Sequence, residues 1–140
     1  LLEIYFNIDM SDEEKIRNII NDMCNKDHNL AKKHMSLDSI FIRPSGNPLN
    51  MIQWDEMMNN TGIIVNSYKL VSINKLVING NMAYVCYTSH GEFNYQGTDN
   101  NDIAVLTNIL EKRNGIWKVV HGQRSTGRKP SEPMPTFKNL

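Results

Sequence analysis

The sequence is poor in the residues that build disulfide-linked, metal-binding or membrane-spanning proteins. It has only two cysteines, Cys24 and Cys86, and their wide separation is not a spacing that binds a metal. Free cysteine tends to be buried, so we expect two reduced thiols rather than a disulfide. No apolar run approaches the roughly 20 residues that cross a bilayer. These absences predict a soluble, cytoplasmic protein.

An excess of charge of either sign is also missing, because 15 Lys and Arg residues balance 15 Asp and Glu residues. A formal net charge of zero gives no broad positive field of the kind that attracts nucleic acids or anionic membranes. The basic cluster of Arg124, Arg128 and Lys129 is short and lies near the C-terminus. We therefore predict neither a nucleic acid nor a membrane as a partner.

What the sequence does have is the composition of one globular domain. Hydrophobic residues make up 40% and charged residues 21% of a chain of 140 residues, which suits a single domain with a core. We place that domain at residues 11–128. An N-terminal extension, residues 1–10, precedes it, and a proline-containing tail, residues 129–140, follows it.

The hydrophobic pattern predicts helices first and strands afterwards, which is typical of an α+β fold. Ser11 and Glu14 have the spacing of a capping box, and the apolar residues that follow recur at helical intervals. From residue 63 the period changes to two. The predicted helices span about 12–26, 27–35 and 51–59, and the predicted strands 39–43, 68–78 and 82–93, followed by a polar loop at 94–101 and a closing hairpin.

The closing hairpin is the most informative segment. Asn114-Gly115 separates two β-rich runs, and this dipeptide tolerates the positive φ angles of a tight type I′ turn. The second run ends in His121, Gln123 and Arg124, where apolar residues would usually finish a strand. Polar groups beside a rigid sheet are a common place for a binding site.

These features together resemble the NTF2-like superfamily, especially its SnoaL-like and related cone-shaped members. The resemblance rests on the first helix, Asp27, Ser39-Ile-Phe-Ile, Pro44-Ser-Gly46, Gly80-Asn-Met-Ala83 and Asn114-Gly-Ile-Trp117-Lys-Val-Val-His121. It implies a single α+β cone, with N-terminal helices packed on a strongly curved antiparallel sheet. Because this superfamily includes isomerases, cyclases, dehydratases and non-catalytic binding proteins, the resemblance implies a fold rather than one activity.

The chain also resembles the association (hub) domain of calcium/calmodulin-dependent protein kinase II. Counting from Trp117, a pocket arginine of the hub falls on Arg124. Counting from Gly80-Asn-Met-Ala83, a second falls on His90, and a third falls on Asn108. The resemblance therefore implies that the carboxylate-binding pocket of the hub is kept in part. Both families usually dimerise through the sheet, so we expect a homodimer or a higher oligomer.

Alternation along the strands predicts which side chains share a face. On the closing strand, this puts Gly122 and Arg124 on one face and Trp117 and His121 on the other. With the resemblance fixing the inner face, we expect Arg124 and His90 to line the cavity.

Two side chains are candidates for catalysis. Asp102 opens a strand on the face of Asn108, and a carboxylate beside Arg124 or His90 can act as a general base. Its alternative role is to cap a turn. His90 interrupts an apolar and hydroxyl-bearing strand face and can transfer a proton or bind a ligand. Alternatively, a neighbouring strand or loop satisfies its hydrogen bonds.

Arg124 is the leading candidate for ligand binding, because its planar charged guanidinium suits a carboxylate, whether a ligand's or that of Asp102. Trp54, Met58 and Phe41 form either an apolar wall for a ligand or ordinary core. We add three further ligand-binding candidates, Asn108, Tyr84 and His121. For His121 the alternative is a place in the dimer interface.

The sequence thus favours a small, partly apolar ligand in the cone cavity, with or without cofactor-independent acid/base chemistry of isomerase, cyclase or dehydratase type. The alternative is a non-catalytic binding or oligomerisation module similar to the kinase hub. Metal-binding His motifs, a Gly-rich phosphate loop and a Gly-x-Ser-x-Gly elbow do not occur. We therefore predict no metal and no cofactor.

Overall fold

The chain passes from helices to long strands in the order that the sequence predicts. The structure is a computed structural model that describes residues 10–60 and 62–132. Its helices are α1 (Asp12–Met23), α2 (His28–Lys32) and α3 (Met51–Met58). Its strands are β1 (Met35–Ile42), β2 (Pro48–Asn50), β3 (Ile63–Asn79), β4 (Met82–Tyr95), β5 (Thr98–Arg113) and β6 (Ile116–Arg124). Most of the predicted extension and the end of the tail lie outside the described residues.

Local capping explains where the helices begin. Ser11 Oγ accepts the Glu14 N–H at 3.2 Å at the start of α1, as the capping-box spacing indicates. At α3, Asn50 and Gln53 form a reciprocal capping box. Helix α1 ends at Met23, short of the predicted bound at 26. Within the described ranges, no helix is long and apolar enough to cross a membrane.

The six described strands form one sheet in the order β2-β1-β6-β5-β4-β3. All neighbours run antiparallel except β1 and β6, which run parallel. Strand β3 carries three register shifts against β4, and such bulges bend a strand. Helix α1 buries Ile16, Ile19 and Ile20 beneath the sheet's inner face, in one core with Val85 and Leu110. The α+β architecture is confirmed, with a mixed rather than fully antiparallel sheet.

A bulge in β6 changes the predicted faces of that strand. Ile109 pairs with His121 but Leu110 pairs with Val119, so Val120 is an extra residue in β6. Trp117 and Val119 before the bulge therefore share the inner face with Gly122 and Arg124 after it. The prediction that Trp117 and Arg124 lie on opposite faces is wrong, because strict alternation does not allow for an inserted residue.

The inner and outer faces of strand β4 are the reverse of those expected. Val85, Tyr87 and Ser89 are buried on its inner face, so Tyr84 and His90 lie on the outer face. The expectation that His90 lines the cavity is therefore wrong, and the ligand-binding candidate Tyr84 also lies outside the cavity. Both faces of β4 carry apolar residues, and the sequence pattern alone does not tell which face the helices cover.

The last two hairpins both close with tight turns. Asn114 and Gly115 have φ angles of 52° and 78°, which confirms the predicted turn. Gln96 and Gly97 have φ angles of 50° and 87°, so a second tight turn replaces most of the predicted polar loop at 94–101. Asn94 Nδ2 donates to Asp99 Oδ1 across that hairpin at 3.0 Å. The polar residues there belong to an exposed extension of β4 and β5.

Candidate functional site

A cavity of about 270 Å³ lies between the helices and the inner face of the sheet. Its walls are mainly apolar and come from elements far apart in the chain: Phe41, Trp54, Met57, Phe93 and Leu106. The volume is close to the lower end of the range for ligand pockets, about 300–1,000 Å³. The site therefore suits a small ligand with an apolar body.

Four of the predicted ligand-binding residues line this cavity: Phe41, Trp54, Met58 and Arg124. Trp54 is also buried in the core, so it forms both wall and core. Gly122 makes room for Phe41, because a Cβ on Gly122 would lie 2.9 Å from Phe41 Cδ2. The close approach of β1 and β6 at this glycine sets the position of the Phe41 ring.

The polar side chains of the cavity are amides, hydroxyls and bases rather than acids. They are Asn25, His28, Arg43, Tyr68, Tyr87 and Arg124. Among the described lining residues there is no Asp or Glu. The cavity is therefore complementary to a neutral or anionic ligand rather than to a cation.

Two tyrosines, Tyr68 and Tyr87, line the cavity. Burial raises the pKa of Tyr68 to about 12 and raises the pKa of Tyr87 well above its ordinary value. Both phenols therefore remain protonated at neutral pH, and Tyr68 donates to Ser89 Oγ at 3.3 Å. Burial also raises the pKa of the free thiol of Cys24 to about 12, so this cysteine stays a protonated, unreactive thiol.

Asp102, the predicted general base, pairs with Arg124. The closest oxygen–nitrogen distance is 3.7 Å, and the side chains are 24% and 22% exposed. Gly127 packs against the carboxyl group so closely that a Cβ there would lie 2.7 Å from Asp102 Cγ. Asp102 does lie on the inner face of β5, as predicted, but outside the cavity lining. Its carboxylate is held by Arg124 and covered by the chain after β6.

The structure does not bring the other predicted site residues into the cavity. His90 hydrogen-bonds to Asn101 on the outer face of the sheet. His121 and Tyr84 share that face, each paired with Ile109. Asn108 is buried on the inner face, but it does not line the cavity. The proposed catalytic pair of Asp102 and His90 is therefore divided between two faces.

Sequence reasoning missed two bases of the cavity, His28 and Arg43. His28 Nε2 and Arg43 Nε are buried and have no hydrogen-bond partner among the described residues. The signal for Arg43 was its place at the end of a strand, which matches the place of Arg124 at the end of β6. The parallel pairing of β1 and β6 brings these two strand ends together, and the sequence does not reveal that pairing.

No group of three or more His, Cys, Asp or Glu side chains in residues 10–60 and 62–132 is arranged to hold a metal ion.

The sequence matches a family model described as a protein of unknown function (DUF3804) over residues 11–132. An NTF2-like protein of unknown function from Prochlorococcus sp. NATL2A has a similar structure, with a TM-score of 0.79. It is 31% identical to this chain, and the match covers 86% of this chain and 96% of that one. No curated protein matches the sequence significantly.

Two more distant structures share the fold alone. A putative Ca/calmodulin-dependent kinase II association domain from Exiguobacterium sibiricum is 15% identical, with a TM-score of 0.72 and 88% of this chain and 98% of that chain covered. A ketosteroid isomerase-like protein from Erwinia carotovora atroseptica is 14% identical, with a TM-score of 0.61 and 75% and 84% covered. The names of these two proteins belong to different functional classes, although the two share one fold. The chain therefore belongs to the DUF3804 family of proteins of unknown function and has an NTF2-like fold.

Proposed function

We propose that this protein binds a small, partly apolar molecule in the cavity between its helices and its sheet. The observation that carries the proposal is a cavity of about 270 Å³ with apolar walls and with buried polar atoms on His28 and Arg43 that have no hydrogen-bond partner in the described part of the chain. Buried polar groups are almost always hydrogen-bonded in native proteins, so exceptions that line a cavity favour a ligand. Apolar walls with a few convergent polar groups are the usual form of a small-molecule site.

Binding is better supported than acid/base chemistry. The described lining has no carboxylate, Asp102 is paired with Arg124, and His90 lies on the other face of the sheet. A general base must reach the proton that it removes, either directly or through one water. The two residues expected to transfer a proton do not share access to one bound molecule.

Methionine methyl groups provide a direct test of binding in the cavity. Met23, Met57 and Met58 line the cavity, whereas Met82 is exposed on the outer face and Met51 is buried elsewhere in the core. In protein labelled with ¹³C at the methionine methyls, we expect titration with indole, a neutral apolar probe, to shift the three cavity signals. The signals of Met82 and Met51 should stay in place.

The same spectra contain the outcomes that would contradict the proposal. Shifts confined to Met82 would place the indole on the outer face of the sheet. Shifts at Met51 together with all other methionines would indicate a general loosening of the core. An absence of shifts up to the solubility of indole would contradict binding of a neutral apolar molecule in the cavity. Native mass spectrometry of the purified protein would complement the titration by detecting a retained ligand.

A second candidate function is self-association, and the outer face of the sheet favours it. The strand registers align Ile40, His121, Ile109, Tyr84 and Val77 in one row across five neighbouring strands. Tyr84 and Ile40 are 39% and 40% exposed, and a contiguous exposed apolar surface often marks an interface between proteins. We propose that a second copy of the chain covers this row in a homodimer. His121 would then belong to the interface.

Light scattering during size exclusion tests this assembly. We expect the wild type to elute as a dimer and Tyr84→Lys as a monomer, because the interface would then bury a charged side chain from each copy. Ser45→Lys adds the same charge in an exposed loop and should leave the dimer intact. A monomeric wild type, or a dimeric Tyr84→Lys variant, would contradict the proposed interface.

A further inference from the structure

The parallel pairing of β1 and β6 places two arginines side by side. Ile42, the last residue of β1, is the register partner of Gln123, so Arg43 directly after β1 lies next to Arg124 at the end of β6. Neighbouring strands lie about 4.8 Å apart. Phe41 on β1 and Gly122 on β6 face the cavity, and alternation gives Arg43 and Arg124 the same face. Both arginines line the cavity.

Within residues 10–60 and 62–132, only one of these two arginines has a carboxylate beside it. Arg124 lies 3.7 Å from Asp102, whereas the described hydrogen bond of Arg43 runs from Nη1 to the weak acceptor Met57 Sδ at 3.9 Å. The Nε of Arg43 is buried, and no described residue accepts a hydrogen bond from it. Like charges directly opposite one another on adjacent strands destabilise a sheet. An anion bound at Arg43 would remove both this repulsion and the unsatisfied donor.

His28 adds a third polar group to the same part of the cavity. Its ring packs edge-on against Trp54 with centroids 6.1 Å apart, and its buried Nε2 has no partner in the part of the chain that the structure describes. Trp54 and Met57 are three residues apart on α3, so they are neighbours on one helix face. His28 contacts the first of them and Arg43 contacts the second. His28 and Arg43 therefore border the same side of the ligand space.

We propose that the ligand is an apolar carboxylate, with its carboxyl group bound by the Arg43 guanidinium and by a hydrogen bond from His28. The planar fork of arginine matches a carboxylate, and the apolar walls at Phe41 and Trp54 accommodate the body of the ligand. Arg124 contributes charge from the next strand, but the ion pair with Asp102 at 3.7 Å already balances part of that charge. This inference rests on the proposed binding function and specifies the class of ligand.

A matched pair of probes tests the inference, phenylacetate and its neutral isostere phenylacetamide. Calorimetric titration of the wild type should give a lower Kd for phenylacetate than for phenylacetamide. Arg43→Gln should weaken phenylacetate binding about tenfold or more, because a charged hydrogen bond is lost, and change phenylacetamide binding less than about twofold. Arg17→Gln, which removes a charge from the exposed face of α1, is the matched control and should bind both probes as the wild type does.

Two further variants separate charge from geometry. Arg43→Lys keeps the charge but loses the planar fork, so its phenylacetate Kd should fall between those of the wild type and Arg43→Gln. His28→Gln should weaken phenylacetate by a smaller factor than Arg43→Gln. Circular dichroism of each variant identifies any loss of affinity that reflects unfolding.

The outcomes distinguish this inference from the proposed function on which it rests. Equal binding of the two probes by both the wild type and Arg43→Gln would overturn the carboxylate inference and leave binding in the cavity intact. A preference for phenylacetate that survives in Arg43→Gln but disappears in Arg124→Gln would overturn the role of Arg43. If neither phenylacetate nor phenylacetamide binds and indole also fails to shift the cavity methionines, the proposed function fails as well.

Discussion

The two ends of the sheet's inner face differ in whether their polar groups have hydrogen-bond partners. At the first, which we call the closed end, Asp12 Oδ1 accepts hydrogen bonds from Trp117 Nε1 at 3.0 Å and from Lys112 Nζ at 3.2 Å. At the other, the cavity end, buried nitrogens of His28 and Arg43 have no partner among the described residues. Both ends are built on the same strands.

The distance between the ends explains how one small fold can hold both. Lys112 and Leu106 are six residues apart on β5, which is about 20 Å along a strand. Helix α1 fills the closed end with Ile16 and Ile20, which are fully buried, whereas α2 and α3 leave a cavity over Leu106. Stability should therefore depend mainly on the closed end, and ligand binding on the cavity end.

The largest loss of stability should come from truncating a core side chain at the closed end. Ile16→Ala removes a fully buried side chain and should lower the free energy of unfolding by about 2–5 kcal/mol. Met58→Ala removes a side chain that borders an open cavity, and it should cost less than about 1.5 kcal/mol. Urea denaturation of the two variants measures both values. Equal losses would show that the two ends do not differ in packing.

The next largest loss of stability should come from adding a methyl group at the cavity end. The Cβ of Gly122→Ala would meet the Phe41 ring at 2.9 Å, which should cost about 1–3 kcal/mol of stability and push the ring into the cavity. We expect weaker binding of indole in the methionine titration. Phe41→Leu in the same chain should restore part of the stability by making room. Additive losses in the double variant would contradict contact between these two side chains.

A smaller effect is expected when the polar contacts of the closed end are broken. The hydrogen bond from Trp117 is the main cause of the lowered pKa of Asp12, so the carboxylate is the form that stabilises the fold. Asp12→Ala should cost about 1 kcal/mol in urea denaturation and leave phenylacetate binding unchanged. Glu13→Ala, which removes an exposed acid from the same helical turn, should cost less. A loss of probe binding in Asp12→Ala would mean that the ends are coupled.

Helix starts and turns were easier to predict from the sequence than the faces of the strands. The capped starts of α1 and α3 and the Asn114-Gly115 turn depend on local chemistry, and all three appear where the sequence indicates. The face of a strand depends on distant residues. One extra residue at Val120 changes which side chains accompany Arg124, and no local pattern marks it.

The candidate site was predictable only for side chains on correctly oriented elements. Arg124, Trp54, Phe41 and Met58 reach the cavity, whereas His90 and Tyr84 lie on the outer face of β4. Arg43 could not be selected from the sequence, because its position beside Arg124 follows from the parallel pairing of β1 with β6. Pairing between strands about 80 residues apart is a tertiary property that periodicity does not encode.

The smallest expected effect is a pH dependence at His34, whose carbonyl accepts the Val119 N–H beside the closed end. Burial lowers the pKa of His34 below its ordinary value of 6.5, against the opposing effect of Asp22 at 2.8 Å, and Lys33 and Lys118 lower it further. The folded state therefore binds this proton less readily than the unfolded state does. The stability that depends on neutral His34 is fully present above pH 6.5 and is lost as the pH falls from there towards the folded pKa.

Comparison with His34→Gln isolates this contribution from the other groups that titrate over the same range. In urea denaturation at pH 7.5 and pH 5.5, the wild type should lose more stability on acidification than His34→Gln does. If the wild type instead gains stability relative to the variant at pH 5.5, the ion pair with Asp22 outweighs burial. Protonated His34 would then strengthen the link between α1 and the segment before β1, and acid would stabilise the closed end rather than weaken it.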